Sequence, residues 1–188
     1  MHSNKVRIIG GEHRGRRIEV ADRPGLRPTP DRVRETLFNW LGQRLDGLAC
    51  LDLFAGSGAL GFEAASRGAS RVVMVENDRT AFRALEEARS TIGFGTVELH
   101  FGDAFDYLKG AGAFDVVFLD PPFGQNSLAA VLERLPPRLA PRARVYAEAP
   151  EPVAAPGWGE LRRSRAGQVS YQLLEWSGHD QGGLPGNV

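Results

Sequence analysis

Apolar residues fall into two regimes along the chain. Before about residue 45 they come in short alternating runs. Val6-Arg7-Ile8-Ile9 and Arg16-Arg17-Ile18-Glu19-Val20, separated by Gly10-Gly11 and Gly15, predict a hairpin with basic residues set between its apolar ones. A connection punctuated by Pro and Gly runs from Arg23 to Pro30. Val33, Leu37, Phe38, Trp40 and Leu41 then recur at helical spacing and predict a helix over residues 31–45, with Asp31 as its cap or first-turn acid. From residue 49 the period switches between strand and helix. Strands are predicted at residues 49–54, 71–76, 97–101, 114–119 and 144–148, and helices at 59–67, 79–91, 104–109 and 127–135.

Apolar strands alternating with helices imply a parallel sheet covered on both faces. Two last extended runs, 159–165 and 169–176, have no helix between them and so predict an antiparallel hairpin. The fold class is therefore α/β and Rossmann-like: a mostly parallel sheet with helices on both faces and a C-terminal antiparallel hairpin, preceded by a small β-hairpin and helix. The expected organisation is a basic extension over residues 1–45, a catalytic domain over 46–176, and a Gly-rich, aperiodic and disordered tail over 177–188.

Charge sharpens this division. The chain is formally neutral, yet residues 1–44 hold ten lysines and arginines against five acids. A basic end on a neutral protein is either a solvated surface or a footprint for a polyanion. The single cysteine, Cys50, rules out a disulfide within the chain and suits a reducing cytoplasm; it falls in an apolar strand and reads as core. No apolar run is long enough for a bilayer span, and the first residues do not form a secretory signal. The four histidines are scattered, so no metal site is expected. Trp40 is expected to pack the accessory helix, and Tyr171 to lie in the core.

The sharpest local feature is Leu51-Asp52-Leu53-Phe54-Ala55-Gly56-Ser57-Gly58-Ala59-Leu60-Gly61, where a strand ends, a Gly-rich turn follows and a helix begins. Glycine lets backbone approach a ligand, and a helix N-terminus offers unpaired N–H groups. Gly56, Gly58 and Gly61 satisfy G-x-G-x-x-G, which alone admits NAD, FAD, a methyl-donor cofactor or a mere tight turn. Context narrows the choice. The next strand ends at Glu76, 18 residues after Gly58, where an acid accepts from ribose hydroxyls or simply faces solvent. Asp52 just before the turn would repel a pyrophosphate and attract the cationic amino end of a methionine moiety. Asp103, after the third strand of the sheet, either receives an adenine amine or caps the helix that starts at Ala104.

The strand over residues 114–119 ends in Asp120-Pro121-Pro122-Phe123. Two prolines make a rigid loop with carbonyls presented rather than consumed. The amine of a nucleobase is a poor nucleophile, because its lone pair is delocalised into the ring. Acceptors gripping its N–H groups, here the Asp120 carboxylate and the Pro121 carbonyl, favour a geometry with the lone pair directed outward. Phe123 is placed to stack on the base. Catalysis of this kind rests on positioning and electrostatics. The base must leave its stack to be reached.

Asp120-Pro121-Pro122-Phe123 resembles the (Asn/Asp)-Pro-Pro-(Tyr/Phe) motif of amino-methyltransferases, and the acids at successive strand ends resemble the class I methyltransferase fold. The motif implies the reaction but does not choose the base. Further resemblance lies in Arg7-Ile8-Ile9-Gly10-Gly11, Arg14-Gly15-Arg16-Arg17, the segment from Gly25 to Leu41, the Gly-rich turn, and Ala166-Gly167-Gln168-Val169-Ser170-Tyr171. Over residues 6–176 the chain is similar to the RsmD family. This resemblance implies transfer of methyl from S-adenosylmethionine to a guanine N2 in 16S ribosomal RNA, with the small ribosomal subunit as partner, by a cytoplasmic monomer. It implies Asp120, Pro121, Pro122 and Phe123 as catalytic loop. The expected cofactor shell is Asp52, Phe54, Ala55, Gly56, Ser57, Gly58, Glu76, Asn77, Asp103, Ala104 and Asp120. Pro28-Thr29-Pro30 is placed at the cofactor entrance. Arg7, Arg14, Arg16, Arg17, Arg27 and Arg34 are candidates for RNA contact, with Arg34 alternatively an internal ion-pair partner. The competing readings are a DNA or other RNA amino-methyltransferase, a nicotinamide oxidoreductase, and a non-enzymatic assembly factor that kept the fold.

Overall fold

Seven strands form the central sheet in the order β5-β4-β3-β6-β7-β9-β8, and a separate two-stranded hairpin pairs β1 with β2. The computed structural model describes residues 5–122 and 127–178. The elements are β1 (Lys5–Arg7), β2 (Arg17–Glu19), α1 (Asp31–Trp40), β3 (Ala49–Asp52), α2 (Ala59–Ser66), β4 (Arg71–Glu76), α3 (Arg79–Ile92), β5 (Val97–Phe101), α4 (Ala104–Leu108), β6 (Phe114–Leu119), α5 (Ser127–Arg134), β7 (Leu139–Ala149), β8 (Trp158–Ala166) and β9 (Val169–Trp176). β3, β4, β5, β6 and β7 run parallel, β9 adds antiparallel to β7, and β8 adds antiparallel to β9 at the edge.

Helices cover both faces of the sheet, as the alternating pattern predicts. On one face α1, α2 and α3 contribute Leu37, Phe38, Phe62 and Leu85 to a cluster with Met74 and Phe118 of the sheet. On the other, α4 and α5 bring Leu108, Val131 and Leu132 against Leu51, Val117 and Val145. The N-terminal hairpin is not set apart from this core: Val6, Ile8 and Ile18 belong to the first cluster. Cys50 and Tyr171 are buried, and the Trp40 ring lies 5.5 Å from that of Tyr171, so α1 is seated on the terminal hairpin.

Several predicted boundaries move. The first helix stops at Trp40 rather than near residue 45, because the chain turns through left-handed backbone at Gly42 and Gln43. The first sheet strand ends at Asp52, since Leu53 and Phe54 already curve into the Gly-rich turn. β7 begins at Leu139 rather than residue 144, with Arg142 in left-handed conformation inside it. Alternation is broken there by Pro141 and Arg142, which hid the strand's first half.

The order of strands reverses between β3 and β6. In open α/β sheets such a switch point leaves a crevice outside the carboxyl ends of the strands. Both motifs singled out in the sequence, the Gly-rich turn after β3 and Asp120 after β6, emerge at that point.

Candidate active site

The Gly-rich turn is held from three sides. Asp52, 2% exposed, accepts a hydrogen bond from the Gly61 N–H at 3.0 Å and so ties the end of β3 to the first turn of α2. Glu76, also buried, accepts from the Gly56 N–H at 2.8 Å and from the Asp78 N–H at 2.7 Å. Leu26, from the connection before α1, covers the Gly56 backbone. Gly58 caps α2 at φ +81, and a β-carbon there would stand 2.6 Å from the Phe62 ring, so the turn tolerates only glycine at this position. Gly61 lets α2 approach β4: a β-carbon would lie 2.7 Å from the Met74 sulfur.

The predicted cofactor residues differ in exposure. Ala55, Ser57, Gly58 and Ala104 are buried, Phe54 and Gly56 are partly buried, and Asn77 is exposed just past Glu76. Asp103 is exposed and acts as the N-cap of α4, its Oδ1 accepting from the Phe105 and Asp106 N–H groups at 2.8 and 3.1 Å. The capping role is therefore realised, through one carboxylate oxygen. Chemically the set suits a nucleoside bearing an amino acid: an anion beside the turn for an ammonium, a carboxylate at the end of β4 for a diol, and an acid at the end of β5 for an amine.

Asp120 opens the other wall. Burial, the Glu148 charge and the Asp52 charge together push its carboxyl well above the ordinary carboxylate range. Pro121 is buried and Pro122 exposed; Phe123 lies outside the described residues, as does residue 179 onward of the predicted tail. Asp52 is pushed up to about 7, chiefly by burial, with Glu76 and Glu148 adding repulsion and the Gly61 and Phe54 N–H groups working against it.

Glu148 was not among the residues the sequence pattern brought forward. It stands on β7 at 7% exposure, and Tyr146 donates its hydroxyl to it at 2.7 Å while Thr29 donates at 3.4 Å. A signal for it existed. The acids at strand ends that mark Asp52, Glu76, Asp103 and Asp120 continue one strand further, to Glu148. Thr29 meets Glu148 from the Pro28-Thr29-Pro30 segment, and Arg23 lies 3.6 Å from Asp78, so residues 23–30 roof the crevice.

The basic residues divide. Arg7, Arg14, Arg16, Arg17 and Arg27 are exposed, and Lys5, Arg7, Arg17 and Asp31 line an open cleft on the hairpin side. Arg34 is not available for RNA. It is 1% exposed, and its guanidinium is spent on Glu63 and Asp31 and on the Thr29 and Arg7 carbonyls. Glu63 in turn accepts from the Ile9 and Gly10 N–H groups and from Arg67, which fastens the hairpin and α1 to α2. Helical spacing brings Asp31 to Arg34 and Arg67 to Glu63, but not the Arg34–Glu63 pair or the hairpin N–H groups, which are far apart in sequence. Among the described residues no group of His, Cys, Asp and Glu is placed to hold a metal ion, and no helix is long and apolar enough to cross a membrane.

Strand order, switch-point crevice and acid-bearing strand ends together are those of the class I methyltransferase fold. The family model described as Conserved hypothetical protein 95 matches residues 6–175, and the chain belongs to this family, the RsmD methyltransferases. It is 42% identical over 180 residues to Ribosomal RNA small subunit methyltransferase D of Escherichia coli K12, covering 92% of this chain and 91% of that protein. The corresponding protein of Haemophilus influenzae is 42% identical over 181 residues, covering 91% and 94%. A solved structure described as a putative methyltransferase, yhhF, from Escherichia coli superposes with a TM-score of 0.83 at 41% identity, covering 93% of this chain and 99% of the other. A putative RNA methyltransferase from Pyrococcus horikoshii, at 22% identity and TM-score 0.65, shares the fold.

Proposed function

We propose that this chain transfers a methyl group from S-adenosylmethionine to the exocyclic N2 amine of one guanine in 16S ribosomal RNA, with the small ribosomal subunit as substrate. The observation that carries the reading is the position of Asp120-Pro121 across the switch-point crevice from the Gly-rich turn. The names of the relatives, which specify small-subunit ribosomal RNA, support the substrate class.

In this reading Gly56, Gly58 and the ends of β3, β4 and β5 hold the methyl donor. Asp52 faces its ammonium, Glu76 its ribose hydroxyls, and Asp103 and Ala104 its adenine. Bound S-adenosylmethionine supplies a methyl carbon already activated on a sulfonium. The chain's own work is on the acceptor. The Asp120 carboxylate and the Pro121 carbonyl accept the two N–H groups of the amine, Pro122 stiffens the loop, and Phe123 stacks on the base. Donation by the amine favours the ionised form of Asp120 despite its burial. As the new N–C bond forms and the methyl–sulfur bond breaks, with its electron pair left on sulfur, the nitrogen would shed a proton toward that carboxylate. No covalent enzyme intermediate is needed.

The exposed arginines Arg7, Arg14, Arg16, Arg17 and Arg27 supply phosphate contacts, for which guanidinium forks are suited. A patch this small grips naked RNA weakly, so the folded particle contributes the remaining affinity. The test is to incubate the protein with radiolabelled methyl donor and small subunits that lack the modification. Label is expected in N2-methylguanine at one site; its absence from guanine would sink the reading.

A further inference from the structure

The Asp-Pro-Pro-Phe loop grips an amine but does not say which base carries it. We propose that Glu148 makes that choice: it accepts the N1–H of the acceptor guanine beside Asp120 and so selects guanine over adenine and cytosine. The inference rests on the reading of the site as a guanine-N2 methyltransferase.

The placement comes from the sheet. Leu119 of β6 pairs with Ala147 of β7 in parallel register, so Asp120 and Glu148 follow as neighbours at the same edge. The Glu148 charge reaches Asp120 and helps to raise its carboxyl. Glu148 is 7% exposed, and among the described residues no cation pairs with it. Among the described residues its hydrogen bonds come from two neutral hydroxyls, Tyr146 and Thr29, and both go to Oε1. A buried carboxylate with so little compensation is costly, and a structural role at this position is met at less cost by an apolar side chain. Burial raises the Glu148 carboxyl above its ordinary range, and the two hydroxyls work against that rise by favouring the charged form. An acceptor oxygen is thus kept next to the group that grips the amine.

Base chemistry gives that oxygen a meaning. In guanine the ring nitrogen next to the 2-amine, N1, carries a hydrogen. In adenine the ring nitrogen next to the 6-amine carries a lone pair, and so does the one next to the 4-amine of cytosine. Two adjacent acceptors fit an amine plus an N–H, and repel an amine plus a lone pair. A site built around a hydrogen bond discriminates strongly, because the wrong ligand leaves a buried polar group unpaired.

The decisive probe is 2-aminopurine, which keeps the 2-amine and lacks the N1 hydrogen. Small subunits are reconstituted with 16S RNA carrying either guanine or 2-aminopurine at the labelled position, and kcat/KM is measured for each. The wild-type protein should prefer guanine by about tenfold to a hundredfold, the range for losing one hydrogen bond to a charged group. Glu148→Gln should lower transfer to guanine by a similar factor and narrow the preference, because the amide donates to the bare ring nitrogen. Its affinity for S-adenosylhomocysteine should match wild type. Tyr146→Phe, which removes one donor from Glu148 and leaves the carboxylate in place, should narrow the preference less. If guanine and 2-aminopurine react equally with the wild-type protein, or both variants slow the two substrates by one factor, Glu148 is structural and the inference is overturned. Failure of the wild-type protein to label guanine at all overturns the functional reading beneath it, so the two failures are distinguishable.

Discussion

The Arg34 guanidinium lies 3.1 Å from the Glu63 carboxylate, with both side chains closed off from water at 1% and 0% exposure. The pair joins α1 to α2. Because Glu63 also accepts from Ile9 and Gly10, it joins both helices to the N-terminal hairpin. Removing one partner strands a buried charge. Glu63→Ala is therefore expected to destabilise the protein by about 3–5 kcal/mol, read from the urea midpoint. A loss below about 1 kcal/mol would mean that the junction tolerates rearrangement.

The same geometry separates Arg34 from the surface arginines. Arg14, Arg16, Arg17 and Arg27 are free to meet phosphate, whereas Arg34 is enclosed. Each alanine substitution among the exposed four should weaken binding to small subunits. Each should also lower the slope of log affinity against log salt by about 0.7–0.9 for every phosphate no longer neutralised. Arg34→Met, by comparison, should cost stability and leave that slope unchanged. Binding titrations between 50 and 200 mM salt would check both, with the salt range chosen to span roughly the regime where counterion release dominates.

What was legible in the sequence tracks how local each cause is. Val72 to Val75 read as a buried strand because their apolar run is uninterrupted, and Asp52 to Gly61 read as a strand–turn–helix because the glycines punctuate it. The Asp103 cap was visible as one of two alternatives, since its partners are two and three residues away. Glu63 was not visible. It sits in a small-residue helix, and the four groups that explain its burial come from residues 9, 10, 34 and 67. Arg34 was visible as one of two alternatives, an RNA contact or an internal ion-pair partner, and the packing of α1 against α2 decides for the second. Glu148 shared the strand-end position of the other acids, but its place beside Asp120 depends on which strand lies next to β7, a matter of topology.

Asp120 tests the division between holding the donor and gripping the acceptor. Asp120→Asn keeps the shape of the side chain and removes the charge that receives the amine hydrogens. Transfer is expected to fall by about 10²–10³ in kcat, the scale for removing one preorganised electrostatic interaction. S-adenosylhomocysteine should bind within about threefold of wild type, since the change in interaction then stays under roughly 1 kcal/mol. Calorimetry that found cofactor affinity lost along with turnover would contradict the assignment.

Asp52 makes the ligand-free protein sensitive to pH in a direction opposite to ordinary acid denaturation. Its carboxyl is pushed from 3.8 up to about 7, first by burial and then by the Glu76 and Glu148 charges. A group whose pKa is raised on folding binds more protons in the folded state. Its stabilising contribution is complete below the unfolded pKa and is lost as pH rises toward the folded one. The loss accumulates between about pH 4 and pH 7, to roughly 4 kcal/mol at about 1.4 kcal/mol for each pH unit crossed. Asp120 and Glu148, also raised, add in the same direction. The urea midpoint should therefore fall between pH 5.5 and 7.5, and Asp52→Asn should flatten that fall. Cofactor binding should respond inversely. An ammonium beside Asp52 favours its ionised form, so affinity for S-adenosylhomocysteine should rise from pH 6 to pH 8 in the wild-type protein and stay level in Asp52→Asn. An affinity that declined over that interval would place the ammonium elsewhere.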